Sequence, residues 1–401
     1  MTDVKIVVGA NFGDEGKGLM ADYFCHQAVS RGKKCLNVLT NGGAQRGHTV
    51  VTPTGKRHVF KHFGSGTFAG VDTYLLKSFI LNPMEFIREL NEFRANDYRI
   101  PDVFVDPRCR WTTPYDMLIN QIVEECRDQK RHGSCGMGIW ETVKRWGSDR
   151  SRDPNGLFFS FASLPYDDQV KRLKSIRNEY MPEVLRTYGI KDIPLSWRPI
   201  VNAPELIDHF IDDVRQMSAY IKRYPVTFGG IHKRYDTVVF ENGQGLLLDQ
   251  DRTEYGDNTT PSCTGVCELK ELLTGLPLSG VSLEACYVTR TYMTRHGAGL
   301  FKTECDKSSL FHTSVSDVTN QTNQFQGALR YGELLLNPLM NRIRMDSLPL
   351  HGLPCDMKLS VAVTHADERQ FDYFDLHEIA DAIYISDGPC RTNISVHTEN
   401  D

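Results

Sequence analysis

Residues 4–18 read VKIVVGANFGDEGKG. The first half, VKIVVGA, is a short apolar run rich in β-branched residues, which favours a strand. The second half turns on Gly13, Gly16 and Gly18, and an amphipathic stretch, LMADYFCHQAV, follows at 19–29. That order predicts a strand, a phosphate-sized loop and a helix. Glycines let the backbone turn N–H groups onto an anion, and Lys17 adds a mobile positive charge. The spacing misses the standard P-loop, because Asn11 stands where that motif has its first glycine. Asp14 is out of place in a pure phosphate cradle. A carboxylate there repels phosphate unless it holds Mg²⁺ or serves as a base.

The pattern repeats further along. A second apolar run, CLNVLT at 35–40, also ends in a glycine-rich loop, NGGAQRGH, which brings in His48, and HFGSG at 62–66 is a third small-residue turn. Further strands are expected at 103–106, 237–241, 285–293 and 359–367, with AIYIS at 382–386 as the last. Helices are expected at 83–93, 113–129, 167–179 and 203–224; the last places Leu206, Ile207, Phe210, Ile211, Val214 and Met217 at helical spacing. Separated strands with helices between them predict an α/β fold, a large and mainly parallel central sheet flanked by helices. No Pro/Gly/Ser-rich linker divides the chain, so residues 1–401 are expected to form one domain, with a helix-rich insertion at about 110–235.

Composition narrows the function. The 401 residues are 40% apolar and 24% charged, which is globular rather than disordered. With 46 basic against 51 acidic residues the formal net charge is -5, so no basic surplus points to nucleic acid. No run is long and apolar enough to span a bilayer, and no signal-peptide core opens the chain. The 11 cysteines form no CxxC pair, and Cys263 and Cys267 have no second pair to complete a zinc site. A reduced, cytoplasmic protein without membrane or nucleic-acid partners is the expectation.

At this point the motifs resemble a family. GDEGKG, followed by a GG…GHT loop, looks like the adenylosuccinate synthetases. GSCGMGIW at 133–140 resembles that family's GTTGRGIG, FENGQGLLLD at 240–249 resembles FEGAQGTLLD, and YMTRHGAGLFKTE at 292–304 resembles YSTRVGAGPFPTE. THAD at 364–367 resembles TKLD, and ISDGPCR at 385–391 resembles ISTGPDR. These blocks keep family order. The resemblance implies a P-loop-NTPase-like, GTP- and Mg²⁺-dependent ligase that phosphorylates the 6-oxo group of a purine nucleotide and displaces the phosphate with an amine. IMP, L-aspartate and GTP giving adenylosuccinate, GDP and phosphate is the default reaction.

By the same resemblance, Asp14 is the catalytic base and then a Mg²⁺ ligand, His48 stabilises the transferring phosphoryl group, and Lys17 and Gln244 complete the catalytic set. Gly13, Glu15, Gly16, Lys17 and Gly18 would hold phosphates, with His48 and Thr49 facing them, and the Gly47 carbonyl would join Asp14 on the metal. Thr364, Asp367, Ser386, Gly388 and Pro389 would hold the guanine. Acceptor contacts would fall to Asn11, Gln45, Ser134, Cys135, Asn242 and Gln244, with Cys263 and Thr264. Donor contacts would come from Arg290, Arg295, His296, Thr303 and Arg330. Family members are homodimers, and Lys144 or Arg145 would reach into the neighbouring acceptor site.

Departures blur the substrates. The family's arginine-dense donor loop reads TNQTNQFQGALRYGEL at 319–334, with Arg330 as its one arginine. An α-amino dicarboxylate calls for bidentate arginines. Cys135 replaces a threonine, Met137 an arginine, His365 a lysine and His296 a valine. The phage relatives that make the 2-aminoadenine precursor from dGMP tend to replace the aspartate at position 14, which is retained here. The same mechanism on dGMP or a specialised substrate, a GTP-binding regulator without catalysis, and a kinase that stops at the phosphorylated product are the alternatives.

Overall fold

The structure, a computed structural model, describes residues 2–128, 131–149, 157–222, 228–256, 258–311 and 327–398. Fifteen strands are found among them, beginning with β1 (Asp3–Gly9), β2 (Cys35–Leu39), β3 (His48–Val51), β4 (Arg57–Phe60) and β5 (Asp72–Leu75). β6 (Ile80–Leu81), β7 (Val103–Val105), β8 (Arg110–Trp111), β9 (Thr237–Gly245) and β10 (Ser282–Arg290) follow. β11 (Met293–Arg295), β12 (Arg330–Gly332), β13 (Asp356–Thr364), β14 (Ala382–Ser386) and β15 (Ile394–His397) complete the series.

Nine strands form one sheet in the order β15-β14-β13-β10-β1-β9-β2-β5-β7. Every pairing is parallel except β14 with β15. Val4, Ile6, Val7 and Val8 of the central strand are fully buried, as a strand covered on both faces requires. The apolar run at 4–10 was expected to form a strand, and it does. The edge strand was not predicted: AIYIS is followed by β15, whose short, polar ISVH sequence carries little strand signal. The expected strand at 285–293 breaks after Arg290, and the one at 359–367 stops at Thr364, where His365 adopts a left-handed φ of 58°.

Helices fill the long crossovers. Helix Pro114–Cys126 starts in a capping box: Asp116 N–H donates to Thr113 Oγ1 (3.2 Å) and Thr113 N–H to Asp116 Oδ2 (2.7 Å). Between β8 and β9 lie further helices, including Pro204–Tyr220, which buries Ile207, Phe210, Ile211, Val214 and Met217 as its periodicity predicts. The helix expected at 167–179 runs longer, as Tyr166–Ser175, a π turn at Ile176–Tyr180, and Met181–Thr187. Pro182 explains the π turn, since it has no N–H to offer the preceding turn and crowds its carbonyls. None of the eleven cysteines is in a disulfide. No helix among the described residues is long and apolar enough to cross a membrane.

Candidate functional site

The parallel strands all point their carboxyl ends the same way, so the loops after β1, β2, β10 and β13 meet in one crevice, where open α/β sheets bind ligands. The first loop is braced from inside by Glu15. Its Oε1 accepts the N–H groups of Asn11 (2.8 Å) and Gly13 (2.9 Å), and its Oε2 lies 3.2 Å from Lys17 Nζ. This carboxylate folds back over Gly9, where an added Cβ would stand 2.3 Å from Glu15 Oε2. Gly16 (φ 98°) takes the chain into helix Lys17–Ser30 with no side-chain cap, so the first N–H groups of that helix are left for an anion. Asp14 itself has a left-handed φ of 59° and a carboxylate 29% exposed, with Oδ2 3.4 Å from His296 Nε2.

The second loop brings His48 against Glu241, in the middle of β9. Glu241 Oε1 accepts from Arg46 Nη2 (2.6 Å) and Ser65 Oγ (2.5 Å) and lies 2.5 Å from His48 Nδ1. Burial alone would raise the Glu241 carboxyl, but the Arg46 guanidinium and the His48 and Ser65 hydrogen bonds outweigh it and bring it to about 2. Burial, with Arg46 alongside, lowers His48 to about 4. The resting pair is therefore a carboxylate beside a neutral imidazole, whose Nε2 lies at the rim, 3.2 Å from the Gly243 carbonyl. Gln45 and Gln244 carry buried amide atoms with no partner among the described residues, as do Thr49 Oγ1 and Arg46 Nε. Orphaned polar atoms concentrated on one wall suit a polar ligand.

The strand ends after β10 and β13 form the far wall. Arg290 Nε donates to the Asp14 carbonyl (2.5 Å), and Thr364 Oγ1 donates to the Glu15 carbonyl (2.8 Å). Asp367 follows on an exposed turn, and Ser386 Oγ donates to the Gly388 carbonyl (2.7 Å).

One cavity of about 900 Å³ gathers these groups. From the sequence-predicted set it is lined by Gly13, Asp14, Glu15, Gly16, Lys17 and Gly18, by Gln45, Gly47, His48 and Thr49, and by Ser134, Cys135 and Gln244. Arg290, Arg295, His296, Thr364, Asp367, Gly388 and Pro389 line it as well. The remainder lie off its wall. Asn11 is held by Thr289 and Arg342 behind the loop, and Asn242 by Thr40 and the Thr264 carbonyl. Thr264 donates to Asp249, Asn41 reaches the Cys263 carbonyl, Thr303 contacts Met293 Sδ, and Ser386 only supports Gly388.

Two arginines depart most from expectation. Arg145 does not reach outward: it is buried, pairs with Asp116 (Nε–Oδ1 2.9 Å), donates to the Trp111 carbonyl (2.7 Å) and stacks on the Trp111 ring. Lys144 is the residue of that pair on the cavity wall. Arg330 is bound to Glu304 and to the carbonyls of Gly297 (3.1 Å) and Gly299 (2.9 Å), where it braces the 297–304 turn. Of the donor loop, residues 319–326 lie outside the described residues. Burial raises the Cys135 thiol to about 11, so it stays protonated.

Sequence reasoning missed Glu241, Arg46, Ser65 and Arg342. Glu241 and Arg46 stand inside quoted motifs, and a buried charge beside a candidate histidine was the available signal. Arg342 (Nε to the Ala10 carbonyl, 3.1 Å) sits in helix Leu336–Ser347, far along the chain with no motif around it.

These features define a class: an open α/β sheet protein with a glycine-rich loop and an uncapped helix N-terminus facing a cavity. Within it, the chain belongs to the adenylosuccinate synthetase family, whose profile matches residues 6–328. An adenylosuccinate synthetase of Dehalococcoides mccartyi is 27% identical over 308 residues, 75% of this chain and 66% of that protein. One from Prochlorococcus marinus is 27% identical over 385 residues, covering 92% and 81%. The chain thus spans about two-thirds of the length of the first of these relatives. Among solved structures, a fully ligated adenylosuccinate synthetase from Plasmodium falciparum superposes with TM-score 0.59 at 17% identity, covering 99% of this chain and 87% of that one. A cyanophage S-2L succinoaminodeoxyadenylate synthetase bound to dGMP and dATP gives 0.58 at 15%, covering 99% and 96%. Both show the shared fold.

Proposed function

We propose that this chain is a GTP- and Mg²⁺-dependent C–N ligase acting on the 6-oxo group of a purine nucleotide, with IMP and L-aspartate as the default pair. One observation carries the reading: Asp14, Lys17 and the Glu241-anchored His48 open onto the same cavity as Asp367. The Asp14 carboxylate would take the N1 proton while O6 attacks the γ-phosphorus and the bond to the GDP oxygen breaks. Lys17 and the helix N–H groups bind the phosphates, and His48, with its proton on Nε2, donates that N–H to the charge that develops on the transferring group. The donor amine then attacks C6 and gives up one proton, and phosphate departs with the C6–O bond pair and takes up that proton.

Asp14 and the Gly47 carbonyl suit a magnesium ion. Both line the cavity, and no group of three or more His, Cys, Asp or Glu among the described residues could hold a metal alone. A site completed by substrate phosphates is the usual magnesium arrangement, and when bound the ion neutralises phosphate charge. A homodimer with Lys144 near the subunit boundary completes the proposal.

A different amine donor is the second reading. Arg330 is engaged by Glu304, and Arg295 is stacked on Phe12 (4.4 Å) and Tyr255 (5.0 Å) and donates to the carbonyls of Leu300 and Asn258. Neither guanidinium is set to grip a dicarboxylate bidentately.

Incubation with GTP, Mg²⁺ and a panel of purine nucleotides, with and without amino acids, tests both readings. GDP should form only with the right acceptor, and the C–N product only with the right donor; no GDP with any panel member sinks the ligase reading. Asp14→Asn should reduce kcat by about a thousandfold or more, while nucleotide Kd changes by less than about threefold. Normal turnover in that variant removes Asp14 as the base.

A further inference from the structure

Asp14 and Glu15 are pinned through consecutive carbonyls by the ends of two neighbouring strands. Arg290 closes β10 and Thr364 closes β13, and the two are register partners. Arg290 Nε holds the Asp14 carbonyl (2.5 Å) and Thr364 Oγ1 the Glu15 carbonyl (2.8 Å). The left-handed φ of Asp14 persists because its surroundings over-determine it.

The chain of contacts continues from there. Arg290 Nη1 donates to the Tyr292 hydroxyl (2.9 Å), and that hydroxyl donates to Glu368 Oε2 (2.5 Å). Arg290 is 5% and Tyr292 1% exposed, so this path runs through low-dielectric interior, where linked hydrogen bonds reinforce one another. Burial holds the Tyr292 phenol protonated, which keeps it a donor. Glu368 adjoins Asp367, and its own N–H is held by the His365 carbonyl (3.2 Å). Arg290, Asp14, Asp367 and Glu368 all face the cavity. A cation at one end and a carboxylate at the other give every group in the chain one donor–acceptor role.

We propose that Arg290, Tyr292 and Glu368 are positioning residues that couple occupation of the 364–368 turn by a purine base to the placement of the Asp14 backbone. The relay adds a second link to the direct Thr364–Glu15 contact, so that a base bound at the turn stiffens the Asp14 side of the loop. The assignment of the turn to a guanine base rests on the proposed function; the coupling itself does not require turnover.

Guanosine, which has a base and ribose but no phosphate, separates the two. Amide hydrogen exchange of residues 13–16 is followed in the full chain with and without saturating guanosine. In the wild type, guanosine should slow exchange there by about fivefold or more. Tyr292→Phe and Glu368→Gln should bind guanosine within about threefold of the wild-type Kd yet show no slowing. If both variants protect the loop as the wild type does, or if the wild-type loop is not protected by guanosine, the relay is overturned. Should Tyr292→Phe fail to fold, judged by near-ultraviolet circular dichroism, Glu368→Gln decides alone, since Glu368 is only partly buried. In turnover assays the same variants should lower kcat by about tenfold with the KM for GTP unchanged; a rise in KM with kcat kept would mean a contact with the base instead of a relay. Absence of GDP from all chains would strike the ligase reading and leave the exchange result standing.

Discussion

His48 lies between the Arg46 guanidinium and the Glu241 carboxylate, and its depressed basicity has a thermodynamic consequence. Its ordinary value is 6.5 and the folded value about 4, so between these the unfolded chain binds a proton that the folded chain does not. The stability contributed by the neutral imidazole is complete above about pH 6.5 and lost as pH falls through about 4, up to roughly 3 kcal/mol. Urea unfolding at pH 7.0 and pH 4.5 should therefore show a smaller loss in His48→Asn than in the wild type. Equal losses would show that His48 does not titrate as its burial implies. The comparison between chains matters, because Asp22 and Asp346, both raised to about 6 chiefly by burial, push stability the other way over the same range. At this scale the sequence was most legible where a residue type clashed with its setting. Asp14 in a glycine loop was one such signal. Glu241 gave only a weak one, because a glutamate ending an apolar run looks like the edge of a strand until the fold closes His48 over it.

At the scale of elements, the loop-to-helix junction depends on Gly16. Its φ of 98° is unfavourable for any side chain, and an added Cβ would lie 2.9 Å from Thr364 Cγ2. Gly16→Ala should cost about 2 kcal/mol or more and weaken triphosphate binding by at least about tenfold, as checked by thermal unfolding and calorimetric titration. Strand-loop-helix order was readable from residues 4–29 because apolar periodicity and glycine spacing are local properties. The long helices were readable for the same reason. β15 and the β3–β4 ribbon were not, since their pairing is set by partners and not by their own composition. The buried placement of Arg145 was illegible on similar grounds. A charge after a helix start reads as surface, whereas Asp116, already committed to a capping box, draws it inward.

Across the whole molecule, the first helix and the segment after β14 are tied by one ion pair. Arg391 Nη1 lies 2.8 Å from Asp22 Oδ2, and the Asp22 side chain has no exposure. Arg391→Ala leaves that carboxylate buried without its partner and should destabilise the fold by about 3 kcal/mol, with a lower urea midpoint. Asp22→Asn in the same background should recover much of the loss, which distinguishes a stranded charge from lost packing. The strand order has a temporal consequence as well. β1 is made first, but its partners begin at Thr237 and Ser282. At ~5–20 residues per second of synthesis, Val4–Val8 wait roughly 10–50 s before either neighbour emerges. Through that interval an apolar strand has neither edge paired, so the nascent chain presents a binding site for holding chaperones, and its native sheet closes late and around its oldest strand.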